Sequence, residues 1–378
     1  LSGFLSKVGT VSHNNFNINK YALNDDGTIV AVSDDGMSRD EATIAYNTWA
    51  SNPNQRHVNG VIKVFEEING EFVQLGHDIS ASIPHSNLNA FALGLGNDLV
   101  INSTGNIIAS SSVRGNYVTN YNDSLGDFFG TTKIYEFKVP SSTEWNAVDP
   151  SSNSPIVMKG TPPESSQVTD KKYWTQIGHF VGPKHEDDTT WVGRQMNVCS
   201  MSKDGKIIAL GQRNWNIDPG NAPFPGIAPT SGRVLVYKYS EGNWSLLGGA
   251  DDIVGQANPP TYPGSNTTAT QGEGLGCEVK INGDGTVILA SAGGYDQEPI
   301  VYVYRYNGSN WVKMGEGVSG VSITQNTQIS TTAPADKITL GVLDFFRRQH
   351  GSFMSLSDDG TTFSVLDISG HCSVYKWS

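Results

Sequence analysis

Short runs of alternating apolar and polar residues recur along the chain, and each is followed by a Gly-containing turn and a second apolar run. In the clearest copy, Cys277, Val279 and Ile281 alternate with polar residues before a turn at 282–285. Alternation with a period of two places these three side chains on one face of a strand. Because Asn, Asp and Gly accept the backbone angles of a tight hairpin, the pattern predicts a β-hairpin.

The hairpin belongs to a longer repeat that occurs five times. Its turn glycines are Gly27, Gly105, Gly205, Gly285 and Gly360. A third strand follows each hairpin, and in four copies a fourth strand begins with an aromatic residue and ends in Gly. These fourth strands begin at Phe72, Trp174, Trp244 and Trp311. The missing fourth strand has a counterpart near the start of the sequence, where residues 4–9 show the same pattern.

Four-stranded units repeated radially are typical of a β-propeller. The sequence therefore predicts an all-β, single-domain, five-bladed β-propeller of four-stranded antiparallel blades over residues 1–378. The predicted blades are 15–76, 90–178, 190–248, 273–315, and 351–377 completed by 4–9, which closes the ring. In the insertion before the last blade, apolar residues at helical spacing predict a short helix within 334–350.

Connection lengths distinguish the two ends of the predicted blades. Turns between first and second strands are uniformly short, and turns between third and fourth strands are short except in blade 2, where residues 139–172 form an insertion. Most other long segments join second strands to third strands or fourth strands to the next blade. Both kinds of long segment emerge at the same end of an up-and-down blade, which we call the long-loop face. Binding residues are concentrated on loops held by a rigid scaffold, so we expect the function at this face.

Composition narrows the classes of partner and location. The formal net charge of −12 disfavours nucleic acid as a partner. The sequence contains no apolar run long enough to span a membrane, and we expect a signal peptide to be absent or already removed. Three cysteines do not make a disulfide framework. A charged content of only 16%, with many Ser, Thr and Asn residues, favours an extracellular, secreted or virion-borne protein.

Two groups of residues on the long-loop face contain potential metal ligands. A dense cluster in the connection after the second blade consists of His185, Glu186, Asp187 and Asp188. It offers ligands for a divalent cation, but a solvated acidic loop is the more economical interpretation. Four histidines precede inner strands: His13, His85, His185 and His350. Their unequal distances from the turn glycines favour separate roles over a shared site, so we expect neither a metal nor another cofactor.

Two acidic residues on inner strands, Asp98 and Glu278, raise the alternative of a glycoside hydrolase. Glycosidic cleavage needs one carboxylate as acid and another as base or nucleophile. The two acids alternate with Lys20 and Lys280, so a structural salt-bridge network fits equally well. The sequence shows no third inner-strand acid, and we expect a protein that is not an enzyme.

Aromatic, Arg and His residues near the long-loop face suit sugar or protein recognition. The expected ligand-binding residues are His85, His185, Trp191, Arg194, Trp215 and His350. The alternative for each is packing of the long loop onto the blades. The fourth-strand tryptophans differ, because their repeated position predicts packing between blades.

The segment from Ser202 to Ala209, with a third strand from Gly232 to Tyr237, resembles the repeat of integrin-α-like (FG-GAP-type) propellers and, more loosely, of TolB-like propellers. The resemblance implies the propeller architecture and no particular activity. This chain lacks the calcium loops of the integrin repeat, so the resemblance implies no metal site.

Together these features predict an extracellular or surface-displayed binding or adhesion module that recognises a glycan or a cell-surface or virion protein. Two alternatives stay open. One is a glycoside hydrolase that uses Asp98 and Glu278, and the other is a structural subunit of a virion or extracellular assembly.

Overall fold

Every regular element among the described residues is a β-strand. The structure is a computed structural model, and it describes residues 18, 20–34, 61–80, 96, 98–112, 131–139, 172–181, 198–212, 231–256, 274–292, 300–315, 338–339, 354–366 and 372–376. The chain divides into two compact units: Leu1–Tyr121 with Thr132–Phe180, and Asn122–Thr131 with Val181–Ser378.

The first unit contains two antiparallel blades. The strands of blade 1 are β1 (Lys20–Leu23), β2 (Ile29–Asp34), β3 (Val61–Ile68), β4 (Glu71–Gln74) and β5 (Ile79–Ser80). Strands β1 to β4 pair in chain order, and β5 pairs with the start of β3. The strands of blade 2 are β6 (Asp98–Ile101), β7 (Ile107–Ser112), β8 (Thr131–Lys138) and β9 (Tyr173–Val181), also paired in chain order.

The second unit contains three antiparallel blades. Blade 3 consists of β10 (Val198–Met201), β11 (Ile207–Gln212), β12 (Arg233–Ser240) and β13 (Asn243–Leu246). Blade 4 consists of β14 (Val279–Ile281), β15 (Val287–Ala292), β16 (Ile300–Tyr306), β17 (Trp311–Lys313) and β18 (Ile338–Thr339). Blade 5 has three described strands, β19 (Met354–Leu356), β20 (Thr362–Leu366) and β21 (Cys372–Lys376).

The predicted fold class, an all-β chain of five antiparallel propeller blades, is confirmed. Each repeat identified in the sequence coincides with one sheet, and the strands follow one another in chain order. The predicted closing strand at 4–9 lies outside the described residues, and the extent of a single domain over 1–378 stays a prediction.

The outermost strand of a blade is more complex than the repeat suggested. Beyond the end of β4, the short strand β5 pairs with the start of β3, and in blade 3 Val254 bridges Arg233 in the same way. In blade 4 the equivalent segment is β18, which pairs with Ile300 and Val301. The predicted helix within 334–350 is therefore wrong at Ile338 and Thr339. An extended segment there pairs the backbone groups that β17 leaves open on β16.

Apolar faces of adjacent blades form the cores within each unit. Between blades 1 and 2 the buried residues are Ala31, Ile62, Val64, Ile79, Leu99, Ile108, Tyr135 and Trp174. Blade 4 is covered on both faces: Ile288 and Ala290 pack towards blade 3, whereas Val287 and Leu289 pack towards blade 5. This is why β15 is apolar or small throughout instead of alternating with polar residues.

Side chains in the first hairpin of every blade hold its turn. The first turn residue accepts a hydrogen bond from the backbone N–H five residues later: Asn24, Asn102, Ser202, Asn282 and Ser357. An Asp two residues further on accepts the N–H of its second neighbour in four blades: Asp26, Asp204, Asp284 and Asp359. These bonds satisfy donors that the hairpin ladder leaves open, which explains the repeated turn sequence.

The turns of neighbouring blades are also joined to one another. Asp25 N–H donates to the Ser103 carbonyl in the first unit, and in the second unit Lys203 N–H donates to Gly283 while Gly283 N–H donates to Asp358. The Lys203 ammonium reaches the Asp358 carboxylate at 2.7 Å. Within each unit, the short turns therefore lie together at one end, and the long second-to-third connections leave from the opposite end.

Candidate functional site

The ends of the second strands, where the long connections begin, carry small or polar residues that are fully buried. These residues are Ser33, Ser110, Ser111, Gln212 and Ser291. Two of the serine hydroxyls bind neighbouring backbone groups: Ser33 Oγ donates to Gly96 O at 2.7 Å, and Ser110 Oγ donates to Asp98 O at 2.9 Å. The long-loop end of the scaffold thus has a polar buried layer, whereas the middle of each blade is apolar.

A buried lysine lies in this layer in each blade of the first unit. In blade 1, Lys63 is 7% exposed, and its ammonium donates to both carboxylate oxygens of Asp78 at 2.9 Å. In blade 2, Lys133 is 8% exposed. Among the described residues, no carboxylate lies within ion-pair distance of the Lys133 ammonium. Burial lowers the pKa of Lys133 to about 8.

Two histidines of the first unit occupy corresponding places after a Gly. Each has one buried ring nitrogen without a hydrogen-bond partner in the part of the chain that the structure describes. These atoms are Nδ1 of His77 and Nε2 of His179. Burial lowers the pKa of His77, partly offset by the Asp78 carboxylate. Burial and, secondarily, the Lys133 charge lower the pKa of His179 to about 4. Both imidazoles are therefore neutral at physiological pH.

A second polar cluster lies at the same end of blade 3. Arg233 Nε donates to Gln212 Oε1 at 2.6 Å, across the register pair that joins β11 to β12. Gln212 Nε2 and Ser231 Oγ are buried and have no hydrogen-bond partner within the described ranges of the chain. Such orphaned groups are costly unless something supplies a partner. This cluster adjoins the connection that contains Trp215.

The two carboxylates considered for hydrolysis lie in different units. Asp98 opens β6, and Glu278 immediately precedes β14. The Glu278 carboxylate lies 3.6 Å from the Lys280 ammonium, and its side chain is 14% exposed. This contact agrees with the salt-bridge alternative for Glu278. The catalytic role of the pair stays a prediction.

The expected ligand-binding residues all belong to long connections. His85, His185, Trp191, Arg194, Trp215 and His350 lie outside the described residues, as do Glu186, Asp187 and Asp188. Their assignment to a ligand or to a metal stays a prediction. Within the described part of the chain, no group of three or more His, Cys, Asp or Glu side chains is arranged to hold a metal ion.

Two of the fourth-strand tryptophans pack between blades, as predicted. Trp174 Nε1 donates to the Leu75 carbonyl of blade 1 at 2.9 Å, and Trp311 Nε1 donates to the Leu247 carbonyl of blade 3 at 2.8 Å. Trp244 packs on Tyr239 of its own blade, with ring centroids 5.1 Å apart, as Trp311 packs on Tyr306 at 5.3 Å. Packing of Trp244 between blades stays a prediction. The indoles of Trp174 and Trp311 are thus structural residues and not part of a binding surface.

Sequence reasoning missed the buried polar residues of the scaffold. Lys63 and Lys133 occupy the same place in successive third strands, and Gln212 ends an otherwise apolar second strand. A signal was present, because a charged residue in an apolar strand pattern requires a partner when it is buried. Asp78, the partner of Lys63, could not be identified from the sequence. It follows a fourth strand, and the repeat does not predict that the chain continues as β5.

Comparison with known proteins gives similarity at the level of solved structures. No family model and no curated protein matches the chain. The periplasmic gluconolactonase of Pseudomonas aeruginosa is 10% identical with a TM-score of 0.37, over 95% of this chain and 80% of that chain. TolB from Acinetobacter baumannii is 10% identical with a TM-score of 0.36, over 96% and 52%. The β-propeller domain of the Trilobed protease from Pyrococcus furiosus is 11% identical with a TM-score of 0.35, over 96% and 69%.

These likenesses, with TM-scores below 0.5, do not bear on activity. The resemblance of the repeat to integrin-type and to TolB-like propellers stays a prediction. Among the described residues, no helix is long and apolar enough to cross a membrane.

Proposed function

We propose that the protein is a secreted or surface-displayed recognition module that binds a glycan or a cell-surface or virion protein at its long-loop face. The observation that supports this proposal is the difference between the two ends of the blades. At one end, short turns are fixed by side-chain and inter-blade hydrogen bonds. At the other, rigid strands lead into long connections, an arrangement typical of binding proteins.

Polarity at the long-loop end agrees with recognition of a hydroxyl-rich or amide-rich ligand. Gln212 and Ser231, which lie at the two ends of the connection that contains Trp215 in the sequence, carry buried hydrogen-bonding atoms with no partner among the described residues. Sugar and protein ligands are recognised by aromatic surfaces with a few placed polar groups. The low charged content of the chain also suits an extracellular location.

A binding screen tests the proposal directly. The full chain is applied to glycan and surface-protein arrays, and each hit is repeated with Trp191→Ala, Arg194→Ala and Trp215→Ala. Loss of an aromatic or Arg anchor is expected to weaken binding about tenfold or more. Lys206→Ala, an exposed change at the short-turn end, is the matched control and is expected to bind normally.

Two results would contradict the proposal. One is a chain that binds nothing on either array but hydrolyses a polysaccharide, with turnover lost in Asp98→Asn or Glu278→Gln. The other is a hit whose affinity falls with Lys206→Ala and not with the three long-loop substitutions.

A further inference from the structure

The chain contains several copies of the acceptor sequence for N-linked glycosylation, which is Asn, any residue but Pro, then Ser or Thr. These copies begin at Asn102, Asn122, Asn243, Asn266 and Asn307. Asn122 and Asn266 lie outside the described residues. An attached oligosaccharide is bulky and polar, so a folded protein can carry it only on an exposed asparagine. The structure therefore distinguishes among the three described copies.

The copy at Asn102 is unsuited to carry a glycan. Asn102 is 3% exposed in the first hairpin turn of blade 2. Its Nδ2 donates to Thr104 Oγ1 at 3.0 Å and to Asn106 Oδ1 at 2.9 Å, and its Oδ1 accepts Ile107 N–H at 2.8 Å. A sugar on Nδ2 would replace one of the two hydrogen atoms that make these bonds, and it would have to fit into a buried turn.

The copy at Asn307 lies in the turn that joins β16 to β17. All four residues of this turn, 307–310, are exposed. A Cβ added at Gly308 would meet no atom within 4 Å. The space around the turn is therefore open to a large substituent.

Hydrogen bonds orient the Asn307 side chain in this turn. Its Oδ1 accepts Ser309 N–H at 3.0 Å and Asn310 N–H at 2.9 Å. Among the described residues, no group accepts a hydrogen bond from its Nδ2. The carbonyl oxygen is thus used within the turn, whereas the nitrogen that would bind a sugar loses no hydrogen bond on modification.

Asn243 has an intermediate character. It is exposed in the turn that joins β12 to β13, but its Nδ2 donates to Glu241 O at 3.3 Å. The middle residue of this copy, Trp244, packs on Tyr239. Of the three described copies, Asn307 is therefore the best acceptor.

We propose that Asn307 is an N-glycosylation site. Its Nδ2 attacks the anomeric carbon of an oligosaccharide linked to a lipid pyrophosphate. A bond forms between nitrogen and this carbon, the bond from the carbon to the pyrophosphate oxygen breaks, and the lipid pyrophosphate leaves as one amide proton is released. A membrane oligosaccharyltransferase catalyses the transfer, and the chain supplies the acceptor. This inference rests on the secreted or surface location in the proposed function, and not on the ligand.

The position of the turn within blade 4 determines which end the glycan occupies. Strands β14 and β16 run in the same direction, because each pairs antiparallel with β15. The turn at 307–310 therefore lies at the same end as the short turn at 282–285. A glycan on Asn307 would cover the short-turn end of this blade and leave the end with the long connections open.

Expression of the full chain behind a cleavable secretion signal in a eukaryotic cell line tests the site. Intact glycopeptides from medium and lysate are identified by mass spectrometry, so that neither retention in the cell nor deamidation of Asn307 affects the result. Most chains are expected to carry a glycan at Asn307, and the folded, secreted chain none at Asn102. Unmodified Asn307 would overturn the proposal, and a glycan at Asn102 in the secreted chain would overturn the burial argument.

Two substitutions at one exposed position are the matched variants. Ser309→Ala removes the hydroxyl of the acceptor sequence and is expected to abolish glycosylation of Asn307, whereas Ser309→Thr retains the acceptor sequence and is expected to be modified like wild type. Ser309 donates its backbone N–H to the turn, which both variants preserve. Equal glycosylation of Asn307 in the two variants would contradict the assignment.

Binding measurements separate this inference from the recognition function. Ser309→Ala is applied to the same glycan and surface-protein arrays as wild type and is expected to bind equally, because the substitution lies at the short-turn end. Unmodified Asn307 in a chain that binds on the arrays would remove the glycosylation site alone. A glycosylated chain that binds nothing would remove the recognition function alone.

Discussion

The interface between blades 1 and 2 and the interface between blades 3 and 4 share one inter-blade hydrogen bond but differ in the side chains packed beside it. In both, an indole N–H from the later blade donates to a Leu carbonyl of the earlier blade, from Trp174 to Leu75 and from Trp311 to Leu247. In both, a Gly with positive φ follows that Leu, and a Cβ there would lie within 3 Å of the indole. The Leu-Gly pair is therefore needed for close approach of the tryptophan.

The two interfaces differ in the side chain at the position of Lys133 in the third strand. In blade 4 the same place holds Tyr302, which lies opposite Ala290 in a core of apolar residues. In blade 2 it holds Lys133, opposite Ser110. The comparison teaches that a few residues at the edges of the interface determine how blades pack. Between those edges the side chains differ, with a tyrosine in blade 4 and a lysine in blade 2.

The largest expected effect comes from the tryptophan that each of the two interfaces contains. Trp174→Ala and Trp311→Ala each remove a buried indole and its hydrogen bond, and each is expected to lower the free energy of unfolding by about 3–5 kcal/mol. Trp244→Ala is the comparison, because the Trp244 side chain is only half-buried, and a smaller loss of about 1–2 kcal/mol is expected. Denaturant unfolding measures all three. An equal loss in Trp244→Ala would show that burial of the indole does not determine the size of the loss.

The next largest effect concerns Lys133, the position at which the two interfaces differ. The pKa of Lys133 is lowered to about 8 from 10.5, so the folded state loses this proton before the unfolded state does. The stability of wild type relative to Lys133→Met should therefore rise between pH 8 and 10.5, by about 3 kcal/mol at ~1.4 kcal/mol per pH unit. Below pH 8, Lys133→Met is expected to be the more stable protein in chloride.

Lys63→Met is the matched comparison for that experiment. It removes an ammonium that Asp78 already neutralises, and the Asp78 side chain is 43% exposed. A loss of roughly 1 kcal/mol or less is expected at pH 7, opposite in sign to the effect of Lys133→Met. Two lysine variants that change stability in the same direction would show that the missing counter-ion does not distinguish the blades.

The smallest effect tests a feature common to both units, the turn carboxylates. Hydrogen bonds from Ser357 and Thr361 lower the pKa of Asp359 to about 2, and bonds from Thr28 lower the pKa of Asp26. A lowered carboxyl pKa contributes stability that is present above the unfolded value near 3.8 and is lost as pH falls towards 2. Asp359→Asn should reduce this acid dependence slightly in denaturant titrations between pH 5 and 2. A dependence that is unchanged would contradict the role of these bonds.

The blade repeat was predictable because it depends on interactions between residues that are close in the sequence. Turn residues such as Asn282 and Gly285 and the alternation around Val279 depend only on near neighbours in the sequence. The ion pair of Lys63 and Asp78 was not predictable, because it requires the chain to turn after Gly76 and return as β5. The same reason explains the wrong helix at Ile338 and Thr339, where pairing with β16 outweighed an apolar periodicity that also fits a helix.

The hydrogen bonds that join successive turns have a consequence for protein engineering. They set the spacing of the blades in each unit from the short-turn end. Peptides grafted into the connections that begin after Asp34 or Gln212 would leave those bonds intact. The chain should therefore accept foreign epitopes or reporter sequences at that end while keeping its strand pairing.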